Sequence, residues 1–258
     1  MAKTAIIIPA RYASTRLPGK PLIKIHDKTI IQWVYERACQ SKLAQEVIIA
    51  TDDERIYQSV KEFGGQVKMT ASSHQSGSDR IAEIATANPD MEIIVNVQGD
   101  EPLITPESID EAINALISDK TADISTLIRE ITDNEEILNP NIVKVVTDNS
   151  GKALYFSRAA IPYIRNQIAA SSPSGTPRND DYIKFYAHIG LYAYRRESLL
   201  KMTQLEQTNL EKAECLEQLR ALQNGMTIKT VIVDYKPIGI DTPEDVEEFK
   251  QYLQSKLV

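Results

Sequence analysis

Residues 10–20 (ARYASTRLPGK) bring three cations, Arg11, Arg16 and Lys20, within ten positions. The hydroxyls of Ser14 and Thr15 lie between them, and a Pro18-Gly19 break precedes the last. This stretch leaves a continuous apolar run, residues 4–9, of the kind a doubly buried strand shows. Ligands of open α/β sheets bind beyond the carboxyl ends of such strands. Small residues there let backbone N–H groups approach an anion, Arg fits a phosphate through its planar fork, and Lys acts as a point charge. The spacing matches neither the P-loop nor the GxGxxG fingerprint. A solvated basic turn is the plain alternative.

Two carboxylates stand at comparable places. Asp100 ends the run VNVQGD at residues 95–100, where a buried strand meets its ligand edge. As a bland alternative it is a turn residue before Glu101-Pro102. Asp241 opens DTPEDVE, which by itself reads well as a helix N-cap ahead of a proline. Residues 76–80 (SGSDR) supply a hydroxyl and a guanidinium, and also read as a capped helix start. Gln98 shares a strand face with Asp100 if the strand stays extended. Arg158 follows a strand end, where a guanidinium can take a carboxylate bidentately. His188 and Tyr192 lie four apart on one strand face, and Glu217-Gln218 lie on a helix. Taken alone, the histidine reads as a core residue and the Glu-Gln pair as a solvated surface. With three histidines and no metal-ligand spacing of cysteines, a zinc site is not expected.

The elements that must position these groups alternate. Strands are expected at residues 4–9, 46–51, 66–70 and 91–97, with helices at 28–40, 52–63, 79–87 and 106–118 between and after them. That order predicts a doubly wound, mainly parallel sheet. The second half is less regular. Strands are expected at 123–128, 142–147, 153–157, 184–194 and 226–234, helices within 197–223, and a last helix from 242. Residues 166–181 are polar and rich in Ser, Pro and Gly, which predicts a loop. The simplest organisation is one domain over 1–258 with a mixed α/β insertion at about 150–225.

Composition bounds the function. The 258 residues carry 29 Lys and Arg against 36 Asp and Glu, a net charge of −7 that argues against general nucleic-acid binding. A cationic loop on an acidic chain is therefore the more telling. No apolar stretch approaches the ~20 residues of a membrane span, and the short N-terminal apolar run reads as a strand rather than a signal segment. Cys39 and Cys215 are expected as reduced core thiols, which suits a cytoplasmic protein.

The opening loop, extended to residue 22 (ARYASTRLPGKPL), resembles the signature of the sugar-activating nucleotidyltransferases, and specifically that of the 3-deoxy-manno-octulosonate cytidylyltransferase family. The likeness continues in family order through ATDD (50–53), HQSGSDR (74–80), VNVQGDEPLI (95–104), NPNIVKVV (139–146), LYFSRAAIP (154–162), HIGLYAYR (188–195), ECLEQLR (214–220) and GIDTPEDVE (239–247). Ser78 departs from it, standing where the family block has Thr; both offer a hydroxyl. The resemblance implies a Rossmann-like nucleotidyltransferase fold and transfer of CMP from CTP to 3-deoxy-D-manno-octulosonate (Kdo), a step toward lipopolysaccharide. It implies Mg²⁺ on Asp100 and Asp241, with Lys20 completing the catalytic set. Arg11, Ser14, Lys20, Ser78 and Arg80 are implied for CTP, while Arg16 either contacts phosphate or braces the loop. Gln98, Arg158, His188, Tyr192, Glu217 and Gln218 are implied for the sugar. A homodimer is implied, through the inserted second half, with the aromatic-rich strand 184–194 at its interface. An 8-amino Kdo substrate, or a non-catalytic nucleotide sensor, are the alternatives; the loop argues against a sialic acid substrate.

Overall fold

The computed structural model describes residues 2–13, 17–165 and 183–256. The first half winds as expected. Strand β1 (Thr4–Ala10) leads through a short 3-10 turn, Lys20–Leu22, and a small hairpin, β2 (Lys24–Ile25) and β3 (Lys28–Thr29), into α1 (Ile30–Ala38). Then come β4 (Glu46–Thr51), α2 (Glu54–Glu62), β5 (Val67–Met69), α3 (Gly77–Ala87), β6 (Ile93–Asn96) and α4 (Pro106–Ser118). Strand β1 pairs in parallel with β4 and β6, and β4 with β5. Side-chain oxygens cap these helices: Thr29 on α1, Asp53 on α2, Thr105 on α4, and a reciprocal Ser76–Asp79 box on α3.

The second half adds β7 (Ile124–Glu130), α5 (Asn134–Leu138), β8 (Lys144–Thr147), β9 (Ala153–Ser157), β10 (Tyr186–Arg195), α6 (Arg196–Gln204), α7 (Asn209–Glu214), α8 (Gln218–Gln223), β11 (Ile228–Ile232) and α9 (Pro243–Lys256). The main sheet runs β11-β7-β10-β6-β1-β4-β5, with β8 joined to β10 and β9. Strand β10 is antiparallel to both β6 and β7. It therefore lies inside the sheet, and Tyr194 is buried in this chain's own core. Tyr194 therefore serves this chain's own core, while Phe185, Tyr186 and Tyr192 of the 184–194 strand are partly exposed.

Two apolar layers cover the sheet. Ile6 and Ile8 pack with Val34, Val60 and Ile113 from α1, α2 and α4, while Ala5 and Ile7 face Ile81 and Ala85 of α3, Leu199 of α6 and Leu219 of α8. Alternate β1 residues thus serve opposite layers, which is why the strand has no polar face. A third cluster joins Ile25 and Ile30 to Leu103, Ile240, Val246 and Phe249, with Trp33 edge-on to Phe249 at 6.0 Å. It docks the last helix over the hairpin. The expected polar loop at 166–181 lies outside the described residues. Cys39 and Cys215 are free thiols, but both are exposed rather than in the core. Each sits at a helix C-terminus, just past the apolar positions that the helical pattern marks.

Candidate active site

Two strand exits and the segment ahead of the last helix converge at the carboxyl edge of the parallel strands. The β1 exit carries Arg11, the β6 exit carries Gln98, Gly99 and Asp100, and the segment ahead of α9 carries Asp241. With Lys20, Gly77 and Arg80 they line a cavity of about 430 Å³. Two glycines make the approach possible. Gly19 adopts φ 69° and donates its N–H to the Tyr12 carbonyl, closing the loop ahead of Lys20. A Cβ on Gly99 would stand 3.0 Å from the Pro9 carbonyl oxygen, so only glycine lets the β1 and β6 exits come this close. Tyr12 is itself held by the Arg55 guanidinium, stacked 3.3 Å over its ring.

The centre of this cavity is one ammonium between two carboxylates. Lys20 Nζ donates to Asp100 Oδ2 at 2.6 Å and to Asp241 Oδ1 at 2.9 Å. Burial pulls the lysine pKa down, but the two aspartates outweigh it and leave the amine above its ordinary value. The backbones are tied too: Ile240 donates its N–H to the Asp100 carbonyl at 2.9 Å. The N–H groups of Asp241 and Thr242 both go to Asp245, so Asp245 closes the helix start and the Asp241 carboxylate turns to Lys20. A helix cap was the plain reading of Asp241; the neighbouring Asp245 and Thr242 do that work instead. Beside Asp100, burial first and the Asp100 charge second push the Glu101 carboxyl up to about 8. Sequence reading passed over Glu101, whose only signal was its adjacency to Asp100.

Arg80 lines the cavity while being almost fully buried. Its guanidinium holds the Thr70 hydroxyl and lies 3.0 Å from the Asp52 carboxylate, tying α3 to the β4 exit. Neither partner was singled out in the sequence. Ser14 and Arg16 lie outside the described residues.

The remaining expected residues form a second, adjoining group under α3. Ser78 donates its hydroxyl to Glu217 Oε2 at 2.6 Å, so it faces this group rather than the aspartates. Glu217 Oε1, Gln218 Nε2 and Asn96 Oδ1 are buried without a hydrogen-bond partner, an arrangement that costs about 1–3 kcal/mol for each such group. His188 packs edge-on to Phe156 at 5.1 Å and against Tyr192 at 5.3 Å. Burial pushes its pKa down to about 3, so the ring is neutral. Thr126 Oγ1 lies 2.7 Å from the Leu191 carbonyl, to which it donates, and 3.0 Å from His188 Nε2, which in turn donates to it. A bulge in β10 between Ile189 and Tyr192 opens that geometry. Burial also raises the Tyr192 phenol well above its ordinary value. Gln98 bridges the two groups, reaching the Gly190 carbonyl at a long 3.5 Å while lining the cavity.

Arg158 stands further along, at the β9 exit. Its Nε donates to the Glu214 carbonyl at 2.7 Å and its Nη1 to the Pro140 carbonyl at 3.1 Å. Glu214 accepts from the Arg158 N–H and from Ser157 Oγ. Lys144, fully buried, spans the Asn139 and Ile142 carbonyls and so fixes the same loop. Glu214 and Lys144 are further residues the sequence reading missed. Each lies inside a quoted block, but nothing in its spacing set it apart.

A strand-exit loop bearing cations, facing two carboxylates across the edge of a parallel sheet, is the arrangement of an α/β nucleotidyltransferase. A family model described as cytidylyltransferase matches residues 5–228. The 3-deoxy-manno-octulosonate cytidylyltransferase of Geotalea daltonii is 49% identical over 98% of this chain and 99% of its own length. That of Vibrio cholerae is 48% identical over 97% and 98%. A solved structure of CMP:2-keto-3-deoxy-manno-octonic acid synthetase complexed with CTP superposes with a TM-score of 0.90 at 40% identity, covering 99% of this chain and all of its own. The chain belongs to the 3-deoxy-manno-octulosonate cytidylyltransferase family. Among the described residues no helix is long and apolar enough to cross a membrane.

Proposed function

We propose that the protein transfers CMP from CTP to the anomeric hydroxyl of Kdo, releasing pyrophosphate and activating the sugar for lipopolysaccharide synthesis. The observation that carries this reading is the convergence of Lys20, Asp100 and Asp241 on one point of a cavity that Arg11 also lines. The family's names and its CTP-complexed member supply the substrates.

Mg²⁺ fits the residues present. The two carboxylates already aim one oxygen each at a single cation, and oxygen is the donor this ion takes. No third His, Cys, Asp or Glu joins them among the described residues. That suits an ion which keeps several waters and shares its shell with phosphates. Asp100 and Asp241 would hold it, and it would offset charge on the phosphate oxygens.

The chain's own residues do the rest by position and charge. Arg11 and Lys20 take the triphosphate, with Ser14 in the loop between them. Arg80, which lines the cavity, and Ser78, whose hydroxyl is turned to Glu217, are assigned to the nucleotide. Gln98, His188, Tyr192, Glu217 and Gln218 offer the sugar a polar, hydroxyl-matching wall, and Glu217 Oε1 and Gln218 Nε2, which have no hydrogen-bond partner, are the atoms a polyhydroxylated ligand would satisfy. Arg158 takes the sugar carboxylate. The chain is one domain carrying an insertion at about 150–225, and it dimerises through that half, where Leu154 and Tyr163 are exposed. Light scattering across a dilution series tests the dimer; a fully active species near 28.9 kDa would refute it.

Pyrophosphate release with CTP and Mg²⁺ over a panel of Kdo, 8-amino Kdo and sialic acid tests the activity. Release with Kdo is the expected outcome. Preference for the 8-amino sugar would revise the substrate, and CTP binding without release would leave a nucleotide sensor.

A further inference from the structure

We infer that Lys20 is an internal competitor of the metal, occupying the two carboxylates until the nucleotide draws it away, so that metal and nucleotide load cooperatively. The inference rests on the reading of Asp100 and Asp241 as metal ligands. Its geometry is the ammonium held at 2.6 Å from one carboxylate and 2.9 Å from the other. A divalent ion of this class needs its oxygens at about 2.0–2.1 Å. An ion at that distance from the same two oxygens would overlap the ammonium, and two cations sharing one point repel. One must leave.

Lysine is the one that can move. It is a point charge on a flexible four-carbon stem, with no directional fork to lose. Asp100 and Asp241 are fixed by comparison: their backbones are joined through Ile240, and the Asp241 segment is pinned by Asp245 and by the apolar cluster around Phe249. Lys20 also has somewhere to go. It lines the same cavity as Arg11, where an anionic phosphate would recover the charge contacts it gives up. Without that anion, metal entry breaks two charge-assisted hydrogen bonds that Lys20 has no means to replace. With it, the cost is met, and by reciprocity each ligand raises the affinity of the other by the same factor. The arrangement also sets one positive charge between two adjacent carboxylates, which offsets half of their charge when no ligand is bound.

The test uses Mn²⁺ alone, without nucleotide or sugar, and counts free ion by electron paramagnetic resonance. Wild type, Lys20→Met, Lys20→Arg and the pair Lys20→Met with Asp100→Asn are titrated. Lys20→Met is expected to bind Mn²⁺ about tenfold more tightly than wild type, a gain equal to about 1.4 kcal/mol. Lys20→Arg keeps the charge and is expected to stay near wild type. The double variant is expected to lose the gain, which places the ion on Asp100. Mn²⁺ should also raise the melting temperature of Lys20→Met more than that of wild type, a readout independent of activity. Equal Mn²⁺ affinity in wild type and Lys20→Met, with Asp100 still required, overturns the competition and leaves the metal reading standing. Binding that ignores Asp100, or no binding by Lys20→Met, overturns both.

Discussion

The Glu211–Arg220 pair is the best place to test how the second group of site residues is held. Arg220 donates from Nε to Glu211 Oε2 at 2.9 Å and from Nη2 to Oε1 at 2.5 Å, with both side chains less than a tenth exposed. It staples α8 to α7, and α8 begins just after Glu217, whose carboxylate lies 3.9 Å from Arg220 Nη2. Arg220→Met keeps the length and removes the charge. Breaking a buried pair from one side costs about 3–5 kcal/mol, because the other charge stays buried. Glu211 would still accept from the Thr208 N–H as the third residue of its capping box, which favours the lower end, about 3 kcal/mol. For a chain of this size that is roughly 6–12 °C in Tm. The double variant Glu211→Met, Arg220→Met leaves no buried charge and should recover most of the loss. In function, Glu217 and Gln218 lose their support while the Lys20 cavity does not, so KM for Kdo should rise severalfold with CTP affinity unchanged. Circular dichroism melts and calorimetric titration measure both effects. A Tm within about 2 °C of wild type would refute the energetic argument. Equal losses for CTP and Kdo would refute the separation of the two groups.

Asp100→Ala and Asp241→Ala should each lower pyrophosphate release by at least about 10²-fold with the far-ultraviolet dichroism unchanged; near wild-type turnover at saturating Mg²⁺ would count against the metal assignment. Arg11→Ala should weaken CTP binding far more than Kdo binding in separate calorimetric titrations, and equal losses would contradict a phosphate loop. His188 is neutral in the fold, with its pKa down at about 3, whereas an unfolded histidine takes a proton near 6.5. The unfolded chain therefore binds the extra proton in that window, and stability contributed at this position is lost as pH falls from about 6.5 toward 3. His188→Gln should flatten the loss of Tm between pH 7 and pH 5, and an unchanged slope would show that the ring titrates freely in the native state.

The parallel core was legible because its chemistry is periodic. Ile6, Ile7 and Ile8 in a row demand cover on both faces, and the helical spacing of Ile30, Ile31, Val34 and Ala38 supplies one such cover. The place of β10 was not legible. Its alternating pattern gives the strand but not its neighbours, which are set by the layers that Tyr194 and Leu191 enter. In the site, strand exits carrying Arg11 and Asp100 could be read from the positions of apolar runs. Asp241 could not be separated from a helix cap, because the choice is made by Asp245, four residues on. Arg80 shows the converse. Its residue type suggested a ligand contact, while its burial against Asp52 and Thr70 also makes it a brace. Lys144 and Glu214 were invisible for a simpler reason: nothing in residue type or spacing shows that Lys144 is buried against the Asn139 and Ile142 carbonyls, or that Glu214 meets Ser157 and Arg158.

The position of β10 also sets an order of events during synthesis. Among the described residues strand β7 pairs with β10 and β11 alone, and both follow it in the chain. When Glu130 leaves the ribosome, the β1, β4, β5 and β6 ladder is complete, but the next strand to be made has nothing to bind. Its partner ends some 65 residues later, at Arg195. At 5–20 residues per second the apolar stretch Ile124–Glu130 waits roughly 3–13 s with both edges open. Non-local pairing of this kind is slow to form, and an unpaired strand edge is a template for another chain. The nascent protein therefore passes through a stage in which the strands of its first half are paired while β10, β11 and the Asp241 segment have yet to be made, and an open strand edge at that stage can pair with another chain.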